Sequence, residues 1–145
     1  MITHKNHQFI YNDIASLELP NGMCIHYDCG VTPDNDFHFI APDRSVRLVI
    51  EFFTSTKSAK ELIEELNERD GYEVLCPPSE ITTPAGVNGY SITYATRREH
   101  YEEWTLDLGG EERCNFWLMY KRNMPCDEAL YEQVKCEMLD NIKII

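Results

Sequence analysis

Cysteine, histidine and aspartate come together once in this chain, in Cys24-Ile25-His26-Tyr27-Asp28-Cys29. Thiolate, imidazole and carboxylate are ligand types that hold a transition metal. In an extended segment side chains alternate, which puts Cys24, His26 and Asp28 on one side. The set stops short of four ligands, because no second C-x-x-C or H-x-x-x-H completes it. Cys24, His26 and Cys29 therefore define the alternative reading, a small metal- or thiol-dependent enzyme. The competing reading treats Cys24, Cys114 and Cys136 as small buried hydrophobes in strand or helix patterns.

Other candidate chemistry is weaker still. His26 or His100 could pair with any of the six cysteines, but only a tertiary contact would make such a pair a nucleophile. Glu61, Glu64, Glu65 and Glu68 form an acidic row, which around an amphipathic helix is a solvated face. Gly86-Val87-Asn88-Gly89 precedes a strand pattern. A phosphate loop needs a helix N-terminus after it, so these glycines read as turn formers. Neither a G-x-S-x-G elbow nor an H-E-x-x-H helix is present. The residues call for no catalytic group, no cofactor and no metal, and the favoured class is non-catalytic.

The elements that must position any site follow from periodicity. Tyr90, Ile92 and Tyr94 alternate with small or polar residues, as do Trp104, Leu106 and Leu108, which is the period of a half-buried strand. Gly109-Gly110 supplies the positive φ of a tight turn into a third strand. There Cys114, Phe116, Leu118 and Tyr120 make one apolar face while Trp117 and Met119 occupy the other, the mark of a strand inside a sheet. Residues 44–53 repeat this pattern, with Val46, Leu48, Ile50 and Phe52 on one face and Arg47, Val49, Glu51 and Phe53 on the other. Shorter strands are expected at 9–11, 15–19 and 72–75, with Met23 to Tyr27 returning as a hairpin partner after Pro20-Asn21-Gly22. Phe37 to Ile40 enters a further strand, turned by Pro42-Asp43. Cys76-Pro77-Pro78 and Thr83-Pro84 read as a stiff connection. Ser58-Ala59-Lys60-Glu61 is a capping box opening a helix over 58–69. Tyr131, Val134, Met138 and Ile142 are spaced for a C-terminal helix over 127–142.

Composition bounds the partners. The 145 residues carry 25 Asp and Glu against 13 Lys and Arg, a net charge of -12. Nucleic acids and anionic membranes attract clustered cations, so both are disfavoured. No signal-peptide core or membrane-length apolar run is present. The expected location is the cytoplasm, where cysteines stay reduced. The length suits one domain, 1–145, that buries roughly 70% of its unfolded surface, with residues 1–12 frayed.

Ser16-Leu17-Glu18-Leu19-Pro20-Asn21-Gly22, Phe39-Ile40-Ala41-Pro42-Asp43, Gly86 to Tyr90 and the closing Asn141-Ile142-Lys143 together resemble the PsbP-like superfamily. That superfamily also contains a Ran-binding nuclear-import factor and the bacterial Eag chaperones. The resemblance spans residues 13–145. It implies an α+β fold: a single antiparallel β-sheet of about six or seven strands, a helix after the early strands, and a C-terminal helix. It further implies a protein that binds proteins rather than catalyses. No binding motif of that superfamily matches residue by residue, so no site is carried over.

The candidate partner-binding face is read from the residues themselves. It comprises Val49, Phe53, Tyr101, Trp117 and Met119, ringed by Arg47, Arg97, Glu51, Glu103 and Lys121. Aromatic anchors and adaptable methionine within a charged rim suit docking of another protein or an apolar peptide segment. A homodimer is compatible with such a face. The competing arrangement is that a helix of the same chain covers it.

Overall fold

Alternating apolar and polar residues become strands through most of the chain. The computed structural model describes the backbone of residues 2–5, 8–18, 24–25, 36–41 and 43–145, and side chains within 10–18, 38–41 and 43–145. Its elements are β1 (Ile2–Lys5), β2 (Gln8–Tyr11), β3 (Ala15–Glu18), β4 (Cys24–Ile25), β5 (Asp36–Ile40), β6 (Val46–Thr54), α1 (Ala59–Asn67), β7 (Glu73–Thr82), β8 (Asn88–Ala95), β9 (Glu99–Gly109), β10 (Glu112–Lys121), α2 (Glu128–Asn141) and β11 (Ile142–Ile144).

The large sheet has the order β4-β5-β6-β10-β9-β8-β7, and its pairs are antiparallel. The two strands that are apolar on both faces, β6 and β10, pair with each other near its middle. Their inner faces, with Leu48, Ile50, Phe52, Phe116 and Leu118, belong to the main core. That core is closed by Tyr131, Val134 and Met138 of α2 and by Leu17 of β3.

A second, four-stranded sheet, β1-β2-β3-β11, adds to the large one. The terminus expected to fray forms its first hairpin, with Ile2 opposite Tyr11 and Lys5 opposite Gln8. Tyr11 anchors it physically. Its ring stacks on Phe52 at 4.7 Å, and its hydroxyl donates to Glu112 at 2.5 Å. Burial and the neighbouring carboxylate push that hydroxyl up to about 12. Strand β11, past the end of α2, pairs with β3.

Three local expectations are corrected. Strand β4 pairs with β5 in the large sheet, whereas β3 takes β2 and β11 as neighbours. The Cys76-Pro77-Pro78 stretch is part of β7 rather than a connection. An edge strand lacks a partner on one side, and register shifts at Val74/Cys76 and Cys76/Ser79 let it accommodate residues without a backbone donor. Gly86, at φ 87°, is a turn residue. Gly89 lies in β8, where an added Cβ would come within 2.3 Å of the Thr105 carbonyl oxygen. Close strand approach, not turn geometry, is what demands glycine there.

Helix α1 begins at Ser58, whose hydroxyl accepts from the Glu61 N–H at 3.2 Å. Its apolar stripe faces the outer side of the large sheet. Ile63 is fully buried against Ile92 and Tyr94, with Leu66 and Tyr72 beside them. Burying one such isoleucine is worth about 2 kcal/mol. A helix is roughly 10 Å across, and a seven-stranded sheet is about 29 Å wide at 4.8 Å per strand. One nine-residue helix therefore covers part of that face, the β7-β8-β9 end.

Candidate functional site

Where α1 stops short, a groove of about 460 Å³ separates it from the outer faces of β6 and β10. Its helix wall carries Leu62, Glu65 and Leu66, with Arg69 just past the helix end, and its far wall carries Glu51 and Phe53. The floor comes from β8, β9 and β10, whose registers align Ile92, Glu103 and Trp117 in one row and Tyr94, Tyr101 and Met119 in the next. The β8 aromatics therefore share a face with Glu103 and Tyr101, while Trp104, Leu106 and Leu108 point into the main core.

Aromatic rings form a connected strip along the floor. Tyr72 meets Tyr94 edge-on at 4.9 Å, Tyr94 stacks on Tyr101 at 5.0 Å, and Tyr101 meets Trp117 at 5.6 Å and 60°. Each pair adds about 0.5–1.5 kcal/mol beyond area burial, so the strip is a stiff surface. Phe53, Tyr101 and Trp117 are all half-buried.

Glu103 was expected on the rim and lies on the floor instead, because its register partners Ile92 and Trp117 place it between the helix-covered and open parts of the face. One carboxylate oxygen accepts from the Tyr94 hydroxyl at 2.8 Å, the other from Asn115 Nδ2 at 2.9 Å. Asn115 also donates to the buried Thr105 hydroxyl at 3.0 Å. Burial raises the pKa of Glu103 above the usual carboxylate range, opposed by the Tyr94 and Asn115 hydrogen bonds and the Arg69 charge. Tyr94 is raised as well, through burial and then the Glu103 charge.

The remaining residues of the sequence-derived face separate. Val49, 5% exposed, is packed between its strand neighbours His38 and Trp117. Arg47 and Met119 line a neighbouring depression of about 140 Å³ with Arg44 and Lys121. Arg97 lies in the β8–β9 turn, in a third depression with Gly71, Tyr72 and Arg122. Tyr94, Asn115 and the α1 side chains line the groove but lie outside the face read from the sequence, although the large alternate residues of β8 carry a signal for the first.

The metal-ligand segment falls mostly outside the described residues. Only the backbone of Cys24 is placed, and His26, Asp28 and Cys29 lie outside. Among the described residues no group of three or more His, Cys, Asp or Glu side chains is arranged to hold a metal ion. Nor is any described helix long and apolar enough to cross a membrane.

His100 and Cys126 do meet in one depression of about 300 Å³ beside α2. Its electrostatics oppose a thiolate. Burial, then Glu128 and Asp127, push the Cys126 thiol up, and burial holds His100 below its ordinary value despite Glu102. An activated pair needs the reverse, a cationic imidazole beside a low-lying thiol. Glu102 is occupied by the Tyr131 hydroxyl at 2.8 Å and Lys135 at 3.5 Å. Cys114 is buried as expected, but Cys136 is exposed, since it falls off the Tyr131, Val134, Met138 stripe of α2.

No family model and no curated protein matches the sequence. Solved structures do. The solution structure of cyanobacterial PsbP (CyanoP) from Synechocystis sp. PCC 6803 aligns over 100% of this chain and 92% of its own, with a TM-score of 0.57 at 13% identity. LpqN, involved in cell envelope biogenesis of Mycobacterium tuberculosis, aligns over 90% and 82%, with a TM-score of 0.51 at 10% identity. The chain has the PsbP-like α+β fold.

Proposed function

We propose that this chain is a non-catalytic protein-binding module working in the cytoplasm, of the client-chaperone or immunity-partner kind, which docks a polypeptide in the groove beside α1. One observation carries the reading: a half-covered sheet face holds Tyr101 and Trp117 in ring contact, with Phe53 on the wall of the same groove, and leaves all three only half-buried. Rigid aromatics in a groove with polar surroundings are the side chains that dominate protein interfaces. The PsbP-like fold is consistent with an accessory or binding role.

Native mass spectrometry on the protein purified gently from its own cells tests the reading. A polypeptide held by the wild-type chain and absent from a folded Trp117→Glu variant is expected. Retention by that variant, or a bare chain in both, would overturn it.

A further inference from the structure

The floor of the groove is unusual for an apolar docking surface, because a carboxylate sits among its rings. Neutral donors hold Glu103, a phenol on one oxygen and an amide on the other. Among the described residues no Lys or Arg forms an ion pair with it. The cation whose charge acts on it is Arg69, just past the end of α1. Both neighbours donate, so both oxygens are preset as acceptors, and an ionised carboxylate has about four lone-pair sites, two of them left over.

Around it the lining is arranged for positive charge. Trp117 stands beside Glu103 in the register, and Tyr101 is one row along. Indole and phenol faces attract a cation through their quadrupoles, Trp most strongly. The walls add the carboxylates of Glu51 and Glu65, and Arg69 is the one cation among the lining residues. Lys57, which engages Glu65, lies outside the lining. A chain of net charge -12 steers basic partners toward such a cleft.

We propose that the groove seats a basic side chain of a partner polypeptide, an arginine or lysine, with its cationic head on Glu103 and its stem against Trp117 and Tyr101. This rests on the groove being a protein-docking site. The occupant is a polypeptide rather than a free small cation because the space, about 460 Å³, exceeds one side chain. Phe53, Leu62 and Leu66 also supply apolar wall on either side of the acid, which flanking residues of a segment would cover. Tyr94 and Asn115 position the carboxylate and need not touch the partner.

Selection from a displayed library of random linear peptides, run in parallel on wild type and Glu103→Gln, tests the idea. Glutamine preserves the shape of the site, and near-ultraviolet circular dichroism verifies its fold. The expected peptides carry Arg or Lys at one fixed position flanked by apolar residues. Replacing that residue by alanine should weaken binding about tenfold or more on wild type, from a charged hydrogen bond and a cation–π contact. On Glu103→Gln the same replacement should cost less than about threefold. Peptides that depend on Trp117 but show no basic position would overturn the inference while leaving protein docking intact. Peptides indifferent to Trp117→Ala would overturn both. Micromolar binding of spermidine or tetramethylammonium, read by Trp117 fluorescence with no peptide retained, would replace the polypeptide by a small cation and overturn the proposal.

Discussion

Arg113 Nε lies 3.1 Å from the Asp107 carboxylate across the β9–β10 hairpin, and the same carboxylate oxygen accepts from the Ala59 N–H at 3.3 Å. Arg113 is buried and also donates to the carbonyls of Lys57, Gly110 and Glu112. The pair therefore ties the hairpin to the loop before α1 and to the first turn of that helix. It sets where α1 sits on the sheet, and with it the width of the groove.

Asp107→Ala should loosen this tie. Asp107 is 40% exposed while Arg113 is nearly buried, so solvent screens part of the ion pair and the expected loss is about 1–3 kcal/mol. Urea denaturation measures the loss, and hydrogen exchange should show amides of α1 opening before those of β10. Uniform exchange across both would count against the tie.

Gly89→Ala should destabilise more than Gly86→Ala. The first forces a methyl against the Thr105 carbonyl and Leu106, while nothing lies within 4 Å of the second. Overpacking costs about 3 kcal/mol where backbone must shift, and a strained positive φ costs about 1 kcal/mol. Thermal melts of both variants give the order directly.

The pH dependence of stability should carry the signature of Glu103. Its folded value is raised, chiefly by burial, so the folded state holds a proton that the unfolded state has released, and the Glu103 contribution falls as pH rises through that window. Glu103→Gln has no such proton. Its stability relative to wild type should improve from acid toward neutral pH, whereas a constant offset would place the carboxylate in an ordinary environment.

Thiol labelling under native conditions should be graded. Cys76 and Cys136 are exposed and should react first, Cys126 more slowly. Burial pushes the Cys114 thiol strongly up, so it should react only on unfolding. Peptide mass spectrometry of a timed alkylation reads the series.

Local pattern made much of this fold legible, and long-range register explains the remainder. The two-sided apolar character of β6 and β10 located the sheet centre, and the Ser58 capping box located α1. Strand β11 was hidden because Ile142 continues the spacing of α2 while pairing with Leu17. Phe53, Tyr101 and Trp117 were identifiable as aromatics on second faces, and the structure gathers them in one groove. Whether Glu103 is rim or floor depends on where α1 crosses the sheet. That is fixed by Ile63 against Ile92 and by Asp107 against Ala59, contacts between residues about 30 to 50 positions apart.

Site-specific photo-crosslinking in the native cell shows whether a polypeptide occupies the groove. A photoreactive phenylalanine analogue in place of Phe53, on the groove wall, is compared with one in place of exposed Lys143 on the small sheet. One dominant polypeptide adduct is expected from position 53, lost when Trp117→Glu is added, and none from position 143. The same adducts from both positions, or none from position 53, would contradict it.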